Sequence, residues 1–376
     1  MKSIALAYLT TTLLACAASG ALAQTSGDIV VGASLPLSGP NAAAGQEGLA
    51  VLNAYFESVN QAGGIEGRLL RLNALDDAFN PQKAAENARQ LIDAKVVALV
   101  NCWGTSSCSA MVPIANQAGI PLVGGIAGGG VMRSAPGRHA FNIRASTAAE
   151  IDAMVRQMTS IGQKNIAVVY QDDGFGKGGQ AAASAVLQQH QLAAVVELPV
   201  APDGSNAASV VTALAALPAV QGVIMVASPP ATIAVVTQAR KNGLSTQFYN
   251  LAAQASQTVV QGLGANTSGV VFTTLVPSPW RSIIPQVQQY QRLFSASTGT
   301  QNYSYLGMEV FINARTLVDG LRKAGRGVQR ESLTTALENL GTQQNGPMMV
   351  RFSPGQREGS SYVGLAMIDR RGRFIE

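Results

Sequence analysis

Apolar and polar positions divide the first part of the chain into short strands and amphipathic helices. The run 96–100 is short and continuously apolar, which is typical of a strand buried in a parallel sheet, and a helical pattern over 110–118 separates it from a second apolar run at 120–123. Further strands are predicted over 28–35, 68–75 and 139–144, and helices over 45–60 and 81–94. Strict alternation with short loops predicts right-handed βαβ units and a parallel sheet with helices on both faces.

The same pattern starts again after residue 147 and predicts a second unit of the same plan. Its helices are predicted over 147–161, 180–191, 207–217, 231–242 and 256–263, and its strands over 165–170, 193–198, 220–226, 246–250 and 269–275. The rest of the chain is predicted to be helical over 287–297, 305–324 and 330–340, and to close with extended pieces at 348–352 and 362–368. We therefore predict an α/β protein with two units.

Length, composition and charge agree with two globular units. The chain has 376 residues, of which 47% are apolar and 12% are charged, so there is enough apolar material for two cores. The formal charge is +5, and the basic residues are scattered along the chain. Because a nucleic-acid-binding surface needs clustered Lys and Arg, we predict no nucleic-acid partner.

The first residues predict secretion. Lys2 precedes the apolar run 4–18, and Ala21-Leu22-Ala23 fits the small-residue pattern of signal peptidase cleavage, so residues 1–23 are predicted to be a removed signal peptide. The run is short for a membrane span, and no later segment offers the roughly 20 apolar residues that a transmembrane helix needs. The alternative is a lipoprotein, because 13–16 resembles a lipoprotein box in which Cys16 would carry the lipid.

Two loops at neighbouring strand ends form the candidate binding site. A polar loop follows the strand at 96–100, and Thr105, Ser106 or Ser107 is predicted to cap the next helix. A helix N-terminus has unpaired N–H groups and a partial positive charge, so this loop suits a carboxylate or another small polar group. The next strand opens into the glycine-rich loop 124–130, whose backbone can approach a ligand closely.

The cysteines and histidines carry less information. Signal peptide cleavage leaves Cys102 and Cys108 on either side of the polar loop. They either pair and brace that loop or remain two small buried residues, because spacing alone does not bring their Cα atoms within range. No metal site is predicted, because the two histidines, His139 and His190, lie far apart with no Cys or carboxylate motif around either.

Several short motifs, in order along the mature chain, resemble those of one family. They are Ile29-Val30-Val31-Gly32 with Pro36-Leu37-Ser38-Gly39, Asn60-Gln61-Ala62-Gly63-Gly64-Ile65, Asp76-Asp77 before Asn80-Pro81, Ala118-Gly119-Ile120-Pro121, Asp172-Asp173-Gly174-Phe175-Gly176 and Gln238-Ala239-Arg240-Lys241-Asn242-Gly243. With these motifs the chain resembles the periplasmic Leu/Ile/Val-binding protein family, the substrate-binding components of branched-chain amino acid ABC transporters, which have a type I periplasmic-binding-protein fold.

The resemblance implies two Rossmann-like lobes, each a parallel sheet flanked by helices, joined by a hinge of three crossovers. It places the crossovers near 144–145, 274–275 and 359. The N-terminal lobe would then be 28–144 plus 276–358, and the C-terminal lobe 145–275 plus 359–376. The ligand would be buried in the cleft when the lobes close.

The resemblance also implies roles for individual residues. Thr105 and Ser106 would hold a carboxylate, and the backbone of Ile126, Ala127 and Gly128 would contact its other side. A second carboxylate-binding hydroxyl, usual in the family, falls on Gly128 and is missing. Weaker candidates for the cleft walls are Leu37, Trp103, Ser228 and Gln254, and Trp103 either faces the cleft or packs under the glycine loop. Phe175 would cover the ligand from the second lobe.

One departure from the family concerns the ligand's amino group. The family's acid that pairs with the α-ammonium falls near Ala252, and the stretch 250–254 contains no acid. A buried ammonium without a carboxylate partner costs of the order of several kcal/mol. We therefore expect a carboxylate ligand that lacks the amino group, an expectation that rests on Ala252 alone.

The function implied is capture of a solute for an inner-membrane ABC permease by a monomeric periplasmic protein without a cofactor. A ligand-sensing module that signals to a receptor or regulator is the alternative. An enzyme is not predicted, because the chain has no G-x-S-x-G motif and no paired catalytic carboxylates stand out. The run 174–179 matches the dinucleotide fingerprint G-x-G-x-x-G, with Glu197 as the ribose-binding acid, but Asp172 and Asp173 would stand where a pyrophosphate passes.

Overall fold

The structure is a computed structural model that describes residues 27–39, 41–130, 133, 137–217 and 220–376. The predicted signal peptide 1–23, with Cys16, lies outside these residues. Among the helices within them, none is both long and apolar enough to cross a membrane.

The first sheet is parallel throughout and follows a doubly wound order. Its strands pair as β2-β1-β3-β4-β5, so the strand order reverses between β1 and β3. β1 is buried along nearly its whole length. The strands are β1 (Ile29–Leu35), β2 (Leu70–Asp76), β3 (Ala98–Val100), β4 (Leu122–Val123) and β5 (Ala140–Phe141), and the helices between them are α1 (Ala42–Gln61), α2 (Pro81–Asp93) and α3 (Thr105–Gln117).

The second sheet repeats this order. Its strands pair as β7-β6-β8-β9-β10, all parallel, so its order reverses between β6 and β8. The strands are β6 (Ile166–Gln171), β7 (Val196–Val200), β8 (Gly222–Val226), β9 (Gln247–Asn250) and β10 (Val270–Thr274). The helices are α4 (Thr147–Ser160), α5 (Gly174–Gln189), α6 (Ala207–Ala215), α7 (Pro229–Lys241) and α8 (Gln257–Leu263), with short 3₁₀ turns at Ala252–Gln254 and Gly264–Thr267.

The late helices return to the first sheet before the chain crosses again. Helix α1 packs against α9 (Pro285–Thr298) and α10 (Tyr305–Ala324), and α10 packs against α11 (Arg330–Glu338). A small hairpin of β11 (Gln343–Asn345) and β12 (Met348–Val350) follows, and β13 (Gly364–Ile368) and β14 (Phe374–Ile375) then extend the second sheet in antiparallel fashion. The chain therefore passes between the sheets three times, at 142–146, 275–284 and 359–363.

This is the predicted fold of two Rossmann-like lobes joined by three crossovers. We call them the first lobe and the second lobe, and the residue boundaries given for them above stay a prediction. The first and third crossovers are paired, because Asn142 N–H donates to Arg357 O at 2.9 Å and Gly359 N–H donates to Asn142 O at 2.7 Å.

Local capping explains where the helices begin. The Asn80 side chain accepts from the N–H groups of Gln82 and Lys83 at 2.9 and 3.0 Å, and Pro81 occupies the first position of α2, as predicted. Helix α5 begins at Gly174, six residues before the predicted start at 180, because Asp173 caps it by accepting from Gly176 N–H at 2.9 Å. The glycines of 174–179 therefore belong to the helix. The short strands β11 and β14 were not predicted.

Candidate functional site

The residues of the candidate site lie where the strand order of each sheet reverses. Leu37 follows β1 and Thr105 follows β3 in the first lobe, while Phe175 follows β6 and Ser228 follows β8 in the second. Ligands of doubly wound sheets bind at the carboxyl ends of the strands at this switch point. Helices α3 and α5 contact each other, so the two switch points border one cleft.

The N-terminus of α3 differs from its prediction. Thr105 is the first helical residue, and the N-cap is Gly104, with a φ of 78° and no side-chain cap. The predicted hydroxyl cap is therefore wrong. The prediction fails because strand-like pairing continues beyond β3. Trp103 forms an isolated parallel β-bridge with Ile126, and Gly104 N–H donates to Ile126 O at 3.1 Å. The chain then turns sharply at glycine, which leaves the Thr105 and Ser106 end of the helix without a capping side chain.

The glycine-rich loop touches this helix end. A β-carbon on Gly129 would lie 2.4 Å from Thr105 Cγ2 and 2.9 Å from its hydroxyl oxygen, so only glycine allows the approach. The Ile126 N–H is not free for a ligand, because it donates to Cys102 O at 2.8 Å. The candidate for ligand contact in this loop is therefore the backbone from Ala127 onward, and the Ala127 side chain itself is buried.

A hydroxyl group does lie at Gly128, although the sequence at that position offers none. Thr147 Oγ1 lies 2.6 Å from the place that a β-carbon on Gly128 would take, and Thr147 N–H donates to Gly128 O at 2.9 Å. Thr147 is the first residue of α4 in the second lobe. The hydroxyl missing from position 128 is thus matched by one from the other lobe, which no local sequence signal could have shown.

Cys102 and Cys108 form a disulfide that closes the polar loop. Their Cα atoms are 5.1 Å apart, and both side chains are fully buried. The bond joins the end of β3 to the first turn of α3. Of the two alternatives left open by the sequence, the structure has the paired one, and it braces the segment that carries Thr105 and Ser106.

Phe79 is a further candidate site residue that sequence reasoning missed. Its side chain is 43% exposed, and a β-carbon on Gly104 would lie 2.6 Å from its ring, so the ring lies over the start of α3. Phe79 and Ala78 have positive φ values of 61° and 49°. Two consecutive non-glycine residues in this region store strain, which is commonly concentrated at functional sites. The direction of the ring depends on tertiary packing, which the local sequence does not record.

The adjacent carboxylates of Asp76 and Asp77 hold the turn at 76–81. Asp76 accepts from Leu37 N–H at 2.9 Å and from Ala78 N–H at 2.8 Å. Asp77 is fully buried and accepts from the Ser34 hydroxyl at 2.8 Å. No group of three or more potential metal ligands occurs in the residues that the structure describes.

A sequence profile of the family described as periplasmic binding protein matches residues 28–373. The chain belongs to this family. It is 24% identical over 188 residues to Leu/Ile/Val-binding protein homolog 3 of Brucella melitensis. The matched segment covers 50% of this chain and 51% of that protein, so it spans about half the length of that relative. It is 24% identical over 358 residues to Leu/Ile/Val-binding protein BraC3 of Rhizobium johnstonii, with 88% of each covered.

Solved structures agree with the family. An extracellular ligand-binding receptor from Verminephrobacter eiseniae has a TM-score of 0.86 and 26% identity to this chain, and the match covers 93% of this chain and 100% of that one. The protein is therefore a type I periplasmic binding protein of the branched-chain amino acid family. Its relatives and its fold are those of ligand-binding proteins rather than enzymes.

The predicted wall residues of this binding protein differ in how they face the cleft. In the first lobe, Leu37 is half-buried, whereas Trp103 is 6% exposed and packs against α1, where a β-carbon on Gly48 would lie 2.9 Å from the indole ring. Trp103 is therefore a core residue, which corrects its assignment to the cleft wall. The reason is that Gly48 leaves room on α1 for the large ring.

On the second lobe, the half-buried Phe175 lies in the first turn of α5 and packs on the lobe's own core. Ser228 has neither donor free, because its hydroxyl donates to Pro202 O at 2.7 Å and its N–H donates to Gln171 Oε1 at 2.9 Å. Gln254 is 2% exposed, and its Oε1 accepts no hydrogen bond from any residue that the structure describes.

An acid does lie beside Ala252, although the stretch 250–254 itself contains none. Glu150, on α4, accepts a hydrogen bond from Ala252 N–H at 2.7 Å through Oε2, and the Thr273 hydroxyl donates to the same oxygen. The acid comes from a residue far away in the sequence, which the local stretch 250–254 could not reveal. The argument for a ligand without an amino group therefore no longer holds.

Glu150 belongs to a cluster of charged side chains at the first crossover. Arg144 lies between two carboxylates, with its Nε 3.4 Å from Glu309 Oε1 and its Nη2 4.0 Å from Glu150 Oε1. Burial raises the pKa of Glu309, although Arg144 acts in the opposite direction. Arg133 forms an ion pair with Glu358, and burial together with the nearby Arg144 lowers the pKa of Arg133 to about 10.

The glycines of the dinucleotide-like motif pack helix α5 against its sheet. A β-carbon on Gly176 would lie 1.9 Å from Gln171 O, and one on Gly179 would lie 2.3 Å from a Val226 methyl group. Asp173 occupies the helix N-terminus as its cap. Glu197 accepts from the Ser184 hydroxyl of α5 at 2.7 Å, so the acid is engaged by the helix and the motif has a structural role.

Proposed function

We propose that this protein captures a small, partly apolar solute with a carboxylate group in the periplasm and delivers it to the permease of an ABC importer. The mature chain would begin after residue 23 and act as a monomer without a cofactor. Two relatives named Leu/Ile/Val-binding proteins support solutes that resemble branched-chain amino acids.

The observation that carries this proposal is the uncapped N-terminus of α3 at the switch point of the first sheet. Gly104 provides no capping side chain, Thr105 is the first residue of the helix, and the disulfide holds the turn. The N-termini of α4 and α5 are instead capped by Ser146 and Asp173. A helix end with unpaired donors and a partial positive charge stabilises a carboxylate.

The apolar part of the ligand would lie between two aromatic rings. Phe79 lies over the start of α3 in the first lobe, and Phe175 lies in the first turn of α5 in the second. Because α3 and α5 contact each other, hinge closure through the three crossovers would bring these rings to opposite sides of a ligand. Burial of an aliphatic side chain between them adds roughly 1.5 to 3 kcal/mol to binding.

The test is a thermal-shift panel on the mature chain, residues 24–376. The probes are leucine, valine, glutamate, simple aliphatic acids and aromatic carboxylates, each at about 1 mM, and a ligand at 100 times its Kd adds roughly 2.7 kcal/mol of stability. The matched control for each hit is its primary amide, which has the same shape without the carboxylate. We expect the acids to raise the melting temperature by several degrees and the amides to leave it unchanged. Equal shifts by acids and amides would contradict the carboxylate site.

A further inference from the structure

Glu150 presents one carboxylate oxygen to the glycine-rich loop. Its side chain is 2% exposed, and Oε2 is held by Ala252 N–H and the Thr273 hydroxyl. Oε1 lies 3.6 Å from the place that a β-carbon on Gly128 would take and accepts no hydrogen bond from the residues that the structure describes. A carboxylate fixed through one oxygen, with the other directed at a binding loop, is arranged to accept a donor from a ligand.

No guanidinium group of this cluster forms a hydrogen bond to Glu150. The cluster contains two guanidinium groups, from Arg133 and Arg144, and three carboxylates, from Glu150, Glu309 and Glu358. Arg144 Nη2 is 4.0 Å from Glu150 Oε1, which is beyond hydrogen-bond distance. Oε1 of the buried Glu150 carboxylate therefore lacks a hydrogen-bonded cationic partner in this cluster, and a cationic group of a ligand beside it would supply one.

The spacing between Glu150 and the proposed carboxylate site fits one kind of ligand. Gly129 lies against Thr105, and the neighbouring Gly128 lies against Glu150. Adjacent Cα atoms are about 3.8 Å apart, so the two polar groups border the loop one residue apart. An α-amino acid carries its carboxylate and its ammonium on a single carbon, and it matches a pair of subsites this close.

We propose that Glu150 binds the α-ammonium group of an amino acid ligand through its Oε1 atom. The inference deepens the proposed function and rests on it, because the carboxylate held at Thr105 orients the ammonium toward Glu150. Glu150 is then a specificity-determining residue, and selection against acids without an amino group comes from helix α4.

The experiment compares amino acids with their des-amino counterparts by calorimetry. The pairs are leucine with 4-methylpentanoate, phenylalanine with 3-phenylpropanoate and glutamate with glutarate, measured on the mature wild type, E150Q and E358Q. We expect the wild type to bind one amino acid more tightly than its partner by about 10- to 100-fold, the range for a hydrogen bond to a charged group. E150Q should lose this preference, because its affinity for the amino acid should fall while its affinity for the des-amino acid stays unchanged.

E358Q is the matched control, because it removes one carboxylate from the same cluster at a 41% exposed side chain. In E358Q, the ratio of the Kd of the des-amino acid to that of the amino acid should change by less than about fivefold. In a rescue variant, E150Q/A252E, the acid returns from position 252, whose N–H contacts Glu150 in the wild type, and the preference should reappear.

Three outcomes would overturn the proposal. If the wild type binds des-amino acids as tightly as amino acids, Glu150 does not bind an ammonium, and this result needs no variant. If E150Q weakens both members of a pair equally, the residue has a structural role only. If no carboxylate in any pair binds the wild type, the proposed function fails, and this inference fails with it.

Discussion

Gly129 lies directly against Thr105 and joins the two loops of the candidate site. A β-carbon on Gly129 would lie 2.4 Å from Thr105 Cγ2, which is far inside van der Waals contact. At the next position, a β-carbon on Gly130 would meet nothing within 4 Å. The close approach is therefore a property of residue 129 and not of the glycine-rich loop in general.

Substitution G129A should weaken ligand binding. The added methyl group must displace either Thr105 or the loop, so we expect the affinity for a carboxylate ligand to fall at least about tenfold, which corresponds to 1.4 kcal/mol. G130A is the control and should bind like the wild type. The measurement is the calorimetric Kd of both variants, and equal affinities would contradict the role of this contact.

Substitution T105V should weaken the binding of carboxylates without unfolding the protein. Valine keeps the shape of threonine and removes the hydroxyl, and a hydrogen bond to a charged group contributes about 1.5 to 3 kcal/mol. T212V is the control, because the Thr212 hydroxyl donates to Ala208 O at 2.9 Å on an exposed part of α6. We expect the Kd of T105V to rise about 10- to 100-fold and that of T212V to stay unchanged. If the Thr105 hydroxyl takes no part in binding, the Kd of T105V will be unchanged, like that of T212V.

Loss of the Cys102–Cys108 disulfide should lower both stability and affinity. The two residues are six positions apart, and closure of a loop this short contributes roughly 2 kcal/mol in the chain-entropy model. C102A/C108A should therefore melt at a lower temperature than the oxidised wild type, and its Kd should rise because the turn with Thr105 loses its brace. Reductant should lower the melting temperature of the wild type alone. A similar response from C102A/C108A would mean that the reductant acts elsewhere.

Glu338 should give the protein a pH-dependent stability. It accepts from Arg138 Nε and Nη2 at 3.0 and 3.1 Å and also pairs with the buried Arg357. These arginines, Arg138 first, lower the pKa of Glu338 from its ordinary value of 4.5. Because the folded-state pKa is lowered, the stabilisation is present above pH 4.5 and is lost as the pH falls through the folded-state pKa.

E338Q should therefore destabilise the protein at neutral pH by about 3 to 5 kcal/mol, since it leaves a buried guanidinium without its partner. The difference from the wild type should shrink below pH 4.5, as urea unfolding at several pH values would show. E331Q is the control, because Glu331 pairs with the same Arg138 at a side chain that is 66% exposed. E331Q should lower the free energy of unfolding by no more than about 1 kcal/mol at every pH.

The sequence alone predicted the fold class, the order of nearly all elements and the family. These depend on signals within a few residues of each other, such as apolar periodicity and the Asn80-Pro81 helix start, and α10 runs from Tyr305 to Ala324 as predicted. The two helix starts that were predicted wrongly involve glycines, namely the N-cap Gly104 of α3 and the first residue Gly174 of α5. Glycine is compatible with loops and with closely packed helix ends, so its role at a position depends on which groups pack against it.

The site was only partly visible in the sequence for the same reason. Thr105 and its loop follow a strand, and strand order brings them to the cleft. The neighbour of Ala252 could not be predicted, because Glu150 is 102 residues away and reaches it through the packing of α4 beside β10. The burial of Trp103 against Gly48 and the position of Phe79 over Gly104 were likewise decided by tertiary packing. Sequence patterns record what each segment prefers locally, whereas the chemistry of a cleft depends on which distant segments come into contact.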